Sequence, residues 1–482
     1  MRSLIIAGAK TALGTVLVAL LGFASTKVVA LAVGPAGIGV YSLLRQCLMT
    51  AVVLATLSPQ VAIAHVVADG ERHGSLNARL STVFSIVAAI TAMLIAFGIW
   101  QAPTIAASLL PNLSAGSALI ALLAIPLAIN AAFVVLLNVL QAFRSVGAAS
   151  AAAVAGAAAT ALFAYPLGRL AERDLAALVA LLAIGPIASL AAAALFAWRA
   201  GWLAPSMASW LRLELQGKVA RRFLRLSGAT VLAALIASAS LLALRGVVAH
   251  RTGLEGAGLF DAAWAVSHNA FGLVLTAFGS YYLPTLIRMT DSAQTEKLVN
   301  QALFLTTLAV LPLVAAALAF RDELVVLLYS GAFLEAGSAL RWLLFAQCFR
   351  IAAWSLSFLA LARGRMRALV AADASWSLAL LGATCLETNP LPLLEWLGIA
   401  YLACYAVYFA FFMAYVRVLD AIRFGNGVTL TWCAVVALAL VAALLPPVPM
   451  VQLVLPPLAI AVSVIGWRWR AKLVGEPGLS DH

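Results

Sequence analysis

The chain is 482 residues long, 65% hydrophobic and 10% charged, with a mean hydropathy of +1.06. Soluble domains are about 45–50% apolar and about 25% charged, so a water-soluble enzyme is excluded at once. The 30 basic and 18 acidic residues leave a net charge of +12; in so apolar a chain that excess belongs to cytoplasmic loops, and no nucleic-acid partner is expected.

A bilayer core of about 30 Å takes about 20 apolar residues per helix. Apolar runs between charged or Pro/Gly-rich breaks predict fourteen spans, at 11–33, 40–65, 81–102, 117–141, 147–165, 175–198, 224–246, 260–286, 299–320, 338–362, 368–386, 394–416, 429–445 and 451–467. The fold class is therefore an all-α polytopic membrane protein. The first run lacks a convincing cleavage site and is read as a retained helix. Alternating the loops puts 21 Lys and Arg on one side and 4 on the other, which places both termini in the cytoplasm.

The longest hydrophilic stretch runs from Arg199 to Arg225 and interleaves Trp202, Trp210 and Phe223 with basic residues. It is either a plain connector or a segment lying in an anionic headgroup layer. It divides the first twelve spans six and six: an N-lobe at 1–198, a linker at 199–223, a C-lobe at 224–425, then a helix pair and tail at 426–482. The halves share a motif. GPAGIGVY (34–41) and GLEGAGLF (253–260) stand 219 residues apart, each between the first two spans of its half. Glycines at that spacing suit a tight helix–helix corner, and two halves of equal orientation imply a parallel repeat of the kind transporters use. A nucleotide-binding loop would need a preceding strand, which is absent.

Charges inside hydrocarbon are costly and face a wet cavity or a partner. Lys27 and Arg45 flank the first corner, each about 8–9 Å below the external surface at about 1.5 Å per residue. Arg350 lies about 18 Å deep, close to the midplane. Arg245 and Arg341 sit nearer the external mouth, where snorkelling accounts for them. Intramembrane acids are fewer: Asp261 and Asp373, with Glu395 and Asp420 read as solvated span ends. The excess of cations favours a positive cavity for a phosphate or pyrophosphate, with pairing to backbone carbonyls as the alternative. His268, with Asp261 and Asp373, can carry protons, or it is a packing residue. Asn130, Asn138 and Gln141 are read as joining helices rather than binding sugar hydroxyls. Pro59, Pro126, Pro284 and Pro312 are read as helix interruptions that could serve lobe rocking. The five cysteines lie in apolar runs and are read as packing residues. No P-loop, HExxH or GxSxG occurs, so no catalytic or metal-binding residues and no enzyme activity are expected.

KVVALAVGPAGIGVYSLLRQ (27–46) resembles the signature of Wzx-type flippases of the multidrug/oligosaccharidyl-lipid/polysaccharide (MOP) superfamily, nearest the O-antigen and enterobacterial-common-antigen type. YYLPTLIR (281–288) and LVVLLYSGAF (324–333) are similar to its helix ends. The resemblance implies two six-helix lobes in a V related by a pseudo-twofold, as in MATE transporters, with alternating access. It implies an undecaprenyl-pyrophosphate-linked oligosaccharide as cargo, moved from the cytoplasmic to the periplasmic leaflet of a bacterial inner membrane for surface-polysaccharide and lipopolysaccharide biosynthesis. Proton or sodium coupling, no other cofactor, and membrane lipids and glycan polymerase or chain-length proteins as partners follow from it too. The cationic lumen of that family would be supplied here by Lys27, Arg45 and Arg350, with Arg245 and Arg341 further out. Many of these flippases have twelve helices; an added pair brings the lipid II flippases closer, although their DAF, PN and EGAFS-like elements are missing. The alternatives are a MATE-like drug/cation antiporter, which would want acids in its lumen, and a non-transport scaffold of a glycan-assembly complex.

Overall fold

A computed structural model describes residues 2–73, 76–201, 216–289, 291–386 and 391–468. The centre of the expected linker, 202–215, and the tail from 469 lie outside the described residues. Among the described residues every regular element is helical and no strand occurs. Eleven helices are long and apolar enough to cross a membrane, and the all-α polytopic fold expected from composition is what forms.

By compactness the chain divides into two units, Met1–Gly258 and Leu259–His482. The first holds α1 (Arg2–Thr56), α2 (Gln60–His73), α3 (Leu76–Trp100), α4 (Ala102–Leu109), α5 (Gly116–Leu122), α6 (Ala124–Ala142), α7 (Val146–Ala171), α8 (Ala176–Arg199) and most of α9 (Gly217–Trp264). This partition falls one helix later than the sequence repeat, so the chain at 224–258 groups with the first six spans. Helix α7 packs on α1 and α8 through small residues. A Cβ on Gly156 would run into Gly185 and Ser189, and one on Gly168 would press on Ala32. In lipid, where burial alone gives helices no reason to associate, close backbone approach of this kind supplies the attraction.

Two helices are too long for one crossing. Leu13–Thr56 is 44 residues, about 66 Å at 1.5 Å per residue, roughly twice the hydrocarbon thickness. It turns at Gly34 (φ 63°, ψ −170°), and α9 turns likewise at Gly253 (φ 76°, ψ 177°). These are the first glycines of the two repeated motifs, and the left-handed φ is open to glycine at little cost. The third glycines do something else. A Cβ on Gly39 would collide with the carbonyl of Leu254, and one on Gly258 with the carbonyl of Pro35. The two corners therefore meet through glycines at matching positions, which turns a short sequence match into a structural repeat.

The prolines divide. Pro59 sits at a true break: α1 stops at Thr56, Leu57 and Ser58 have positive φ, and α2 restarts at Gln60. Proline disfavours helical geometry in the residue before it, so span 40–65 is not one helix. Pro126 is the third residue of α6, just after the break at Leu123, where its missing N–H costs nothing. Pro284 and Pro312, by contrast, lie inside continuous helices and do not interrupt them.

The second unit holds a one-turn π-helix (Ala265–Asn269), α10 (Ala270–Arg288), α11 (Ser292–Ala319), α12 (Arg321–Leu328), a 3-10 turn (Gly331–Ala336), α13 (Gly337–Ala362), α14 (Met366–Ala383), α15 (Leu393–Leu419), α16 (Asn426–Leu444) and α17 (Pro449–Arg468). Helix α13 is its axis, packed on α11 and α15 and buried on all sides from Leu343 to Leu359 apart from short strips. Polar pins hold the ends. Asn300 donates to the Arg423 carbonyl (2.9 Å) and accepts from the Gly425 N–H (3.0 Å), and Arg365 pairs with Asp420 at 2.7 Å. Asp420 is thus a buried ion-pair partner rather than a solvated span end. Cysteines do not all pack either: Cys348 is buried, but Cys385 and Cys433 are exposed.

Candidate functional site: two buried arginines

The five cations singled out from sequence fall into different surroundings. Lys27 and Arg45 are half-buried on either side of the first corner, and the Arg45 guanidinium lies 5.7 Å from the centroid of the Tyr41 ring, one turn back. Arg341 is held by a carboxylate: it pairs with Glu395 of α15, which also accepts from the Trp342 indole N–H at 3.3 Å. Glu395 is therefore not solvated, and Arg341 is a structural ion pair at the start of α13 rather than an open charge.

Arg245 is 3% exposed, too deep for the snorkelling that its place near a span end suggested. Its guanidinium donates to Oε1 of Gln46. The Gln46 amide donates in turn to the Ser238 carbonyl at 3.2 Å and to its hydroxyl at 3.3 Å, and Thr50 closes the group, 2.9 Å from the same hydroxyl. All lie on α1 and α9 within the first unit. The spacing explains the local fold: Gln46 and Thr50 are four apart on one helix face, and Ser238 and Arg245 seven apart on the other. Sequence reading passed over Ser238 and Thr50, and their signal was this helical spacing opposite an arginine.

Arg350 is 2% exposed and among the largest fully buried side chains. One amino group donates to the His268 carbonyl (3.2 Å) and to Oε1 of Gln347 (3.1 Å). The other lies 3.2 Å from Nε2 of His268, and the guanidinium carbon sits 5.5 Å from the Trp354 ring centroid. Among the described residues it makes no ion pair. The imidazole of His268 is stacked on Trp264 (5.0 Å, 14°), and Trp264 meets the edge of Tyr401. His268 belongs to the π-helix, the one place among the described residues where the helix winds a turn wider than α; such turns gather at functional sites.

The expected acids lie on different helices. Asp261 is buried at 2% exposure, on α9 two turns before His268. Asp373, on α14, accepts from the Tyr408 hydroxyl at 2.8 Å, and Tyr408 belongs to a ring series, Tyr401–Tyr405–Tyr408, whose centroids are 4.8 and 5.9 Å apart. Asn130 and Asn138 do not join helices through their amides. Each donates to the carbonyl four residues back on its own helix, Pro126 and Val134. Among the described residues no cluster suited to a metal ion occurs.

Comparison with solved structures shows a shared fold. The lipid II flippase MurJ, in an inward closed conformation, superposes with a TM-score of 0.71 over 96% of this chain and 98% of its own, at 11% identity. A multidrug resistance MATE family transporter of the MOP superfamily, inward-facing, gives 0.65 over 85% and 99%, at 14% identity. A MOP superfamily transporter from Pyrococcus furiosus, described as having a binding pocket of reverse polarity, gives 0.59 over 86% and 95%, at 15% identity. No family model and no curated protein matches the chain. The chain thus shares its fold with these three proteins.

Proposed function

We propose that the protein is a flippase that moves an undecaprenyl-pyrophosphate-linked oligosaccharide from the cytoplasmic to the periplasmic leaflet of a bacterial inner membrane, by alternating access and with both termini in the cytoplasm. In this reading the two long bent helices each count as two crossings and α14 as one, which with the other nine candidate helices makes fourteen. The observation that carries it is Arg350: a permanently charged group at membrane depth, held by neutral acceptors and by no carboxylate among the described residues. A drug/cation exporter gains nothing from such a group, whereas a pyrophosphate gains about 1.5–3 kcal/mol from each charge-assisted hydrogen bond. The first unit carries basic residues of its own in Lys27, Arg45 and Arg245, whereas Arg341 is bound to Glu395. The MOP-type fold supports transport in general, and the reverse polarity described for the Pyrococcus furiosus transporter supports a role other than cation export. Glycan polymerase or chain-length proteins would be downstream partners.

Lipid II is the second cargo to consider, because MurJ superposes over 96% of the chain against 85% for the MATE transporter. Both cargoes present the same pyrophosphate. The test is flipping of a fluorescent undecaprenyl-pyrophosphate oligosaccharide, and separately of lipid II, by the purified protein in vesicles. Arg350→Ala is expected to lower the rate more than tenfold. Wild-type flipping by that variant at equal reconstitution overturns the reading.

A further inference from the structure

We propose that the groove between α15 and α16 is a binding site for one anionic glycerophospholipid, with its phosphate on Arg417 and an acyl chain along the groove. The inference is independent of the cargo named above and requires only that these helices span a bilayer.

The groove follows from how the helices pack. Helices α15 and α16 both pack on α13, and the gap left between them has a volume of about 560 Å³. Residues four apart on a helix share a face. Ala406, Ala410 and Ala414 of α15 therefore make one line along the gap, and Phe409, Met413 and Arg417 a second line beside it. Trp432 of α16 is the opposite wall. It stacks on Phe409 (4.5 Å, 27°), and Phe349 of α13 meets its ring edge-on at 5.4 Å. The alanines leave the room, and the rings give it rigid walls. In a bilayer such a gap takes up hydrocarbon, because lining atoms that face a void forfeit their dispersion contacts.

Length and charge select the occupant. From Ala406 to Val418, both of which line the groove, is about 18 Å at about 1.5 Å per residue, close to one leaflet of a core about 30 Å thick. Arg417 stands at one end, in the last turn of α15. That end is at headgroup level, on the cytoplasmic side in the orientation proposed above. The helix dipole favours a cation there but supplies no counter-ion. Among the described residues Arg417 makes no ion pair. Asp420, the nearest acid in sequence, is taken by Arg365 at 2.7 Å. A lipid phosphate completes the pair, since its oxygens match the guanidinium fork, and basic pockets between membrane helices hold anionic headgroups in this way.

The other face of α15 gives the contrast. A groove of about 390 Å³ between α14 and α15 is lined by Trp376, Ala403, Val407 and Phe411 among others, with no basic residue among the described ones. It can hold a chain but has nothing to fix a charged headgroup.

The experiment is native mass spectrometry of the purified, delipidated full chain. Palmitoyl-oleoyl phosphatidylglycerol and the phosphatidylcholine of the same chains, whose choline cancels the phosphate charge, are titrated separately. One phosphatidylglycerol is expected to bind about tenfold more tightly, the equivalent of one charge-assisted hydrogen bond. Arg417→Gln should bring the two lipids within about twofold of each other, and Arg417→Lys should keep the preference, because a point charge still holds a phosphate. Ala410→Phe fills the groove and should weaken phosphatidylglycerol about tenfold, whereas Ala403→Phe, in the other groove, should leave it within about twofold. Arg417, Ala410 and Ala403 are all exposed, so these variants leave the core intact. Equal binding of the two lipids by the wild type overturns the site, as does a preference retained by Arg417→Gln. One-for-one displacement of bound phosphatidylglycerol by farnesyl pyrophosphate also overturns it, because the groove is then the cargo's. Flipping by Arg350→Ala is read separately, so the two readings fail independently.

Discussion

Arg245 in the first unit and Arg350 in the second are buried alike, at 3% and 2% exposure, and each donates to a glutamine, Gln46 and Gln347. They differ in the partners described for each. Those of Arg245 include an amide and, beyond it, two hydroxyls. Those of Arg350 include an imidazole in a π-turn. The first arrangement cross-links α1 and α9. The second ties α13 to the π-turn through an imidazole, the side-chain type whose charge changes near neutral pH.

The largest effect expected from testing this contrast comes from Gln46→Leu, which leaves a buried guanidinium short of its acceptor. A loss of about 1.5–3 kcal/mol is expected, read as a lowered apparent Tm in detergent. An unchanged Tm would mean that the cross-link contributes nothing. Smallest is Arg341→Met. The pair with Glu395 is partly exposed, with side-chain exposures of 28% and 14%, so about 1 kcal/mol or less is expected. Flipping by this variant should stay within twofold of the parent, in contrast to Arg350→Ala. A tenfold loss would return Arg341 to the transport machinery.

Much of this was legible from the chain. Fourteen apolar runs were readable, and each coincides with helix over most of its length, because hydrocarbon leaves a spanning backbone no other way to satisfy its hydrogen bonds. The glycine motifs marked both corners correctly, since positive φ at Gly34 and Gly253 is a local demand. The place of Arg350 in the middle of its helix was legible too. What could not be read was lateral: depth placed Glu395 and Asp420 near span ends, yet whether a span end is wet depends on the next helix. Arg341 and Arg365 supply the partners from elsewhere in the chain. The asparagines of α6 misled for a related reason. A polar side chain in a membrane helix has its own carbonyl four residues back always within reach, and here both amides use it.

Composition and period alone determined that this chain is a bundle of membrane helices with two glycine corners and an excess of buried cations, because those properties depend on each residue and its near neighbours. Tertiary structure decided what each buried group meets. It set Gly39 against Leu254 and Gly258 against Pro35, gave Arg341 a carboxylate, and gave Arg350 an imidazole. The charge state and freedom of a buried side chain are properties of what lies across the interhelical gap, and that distance is not written along the chain.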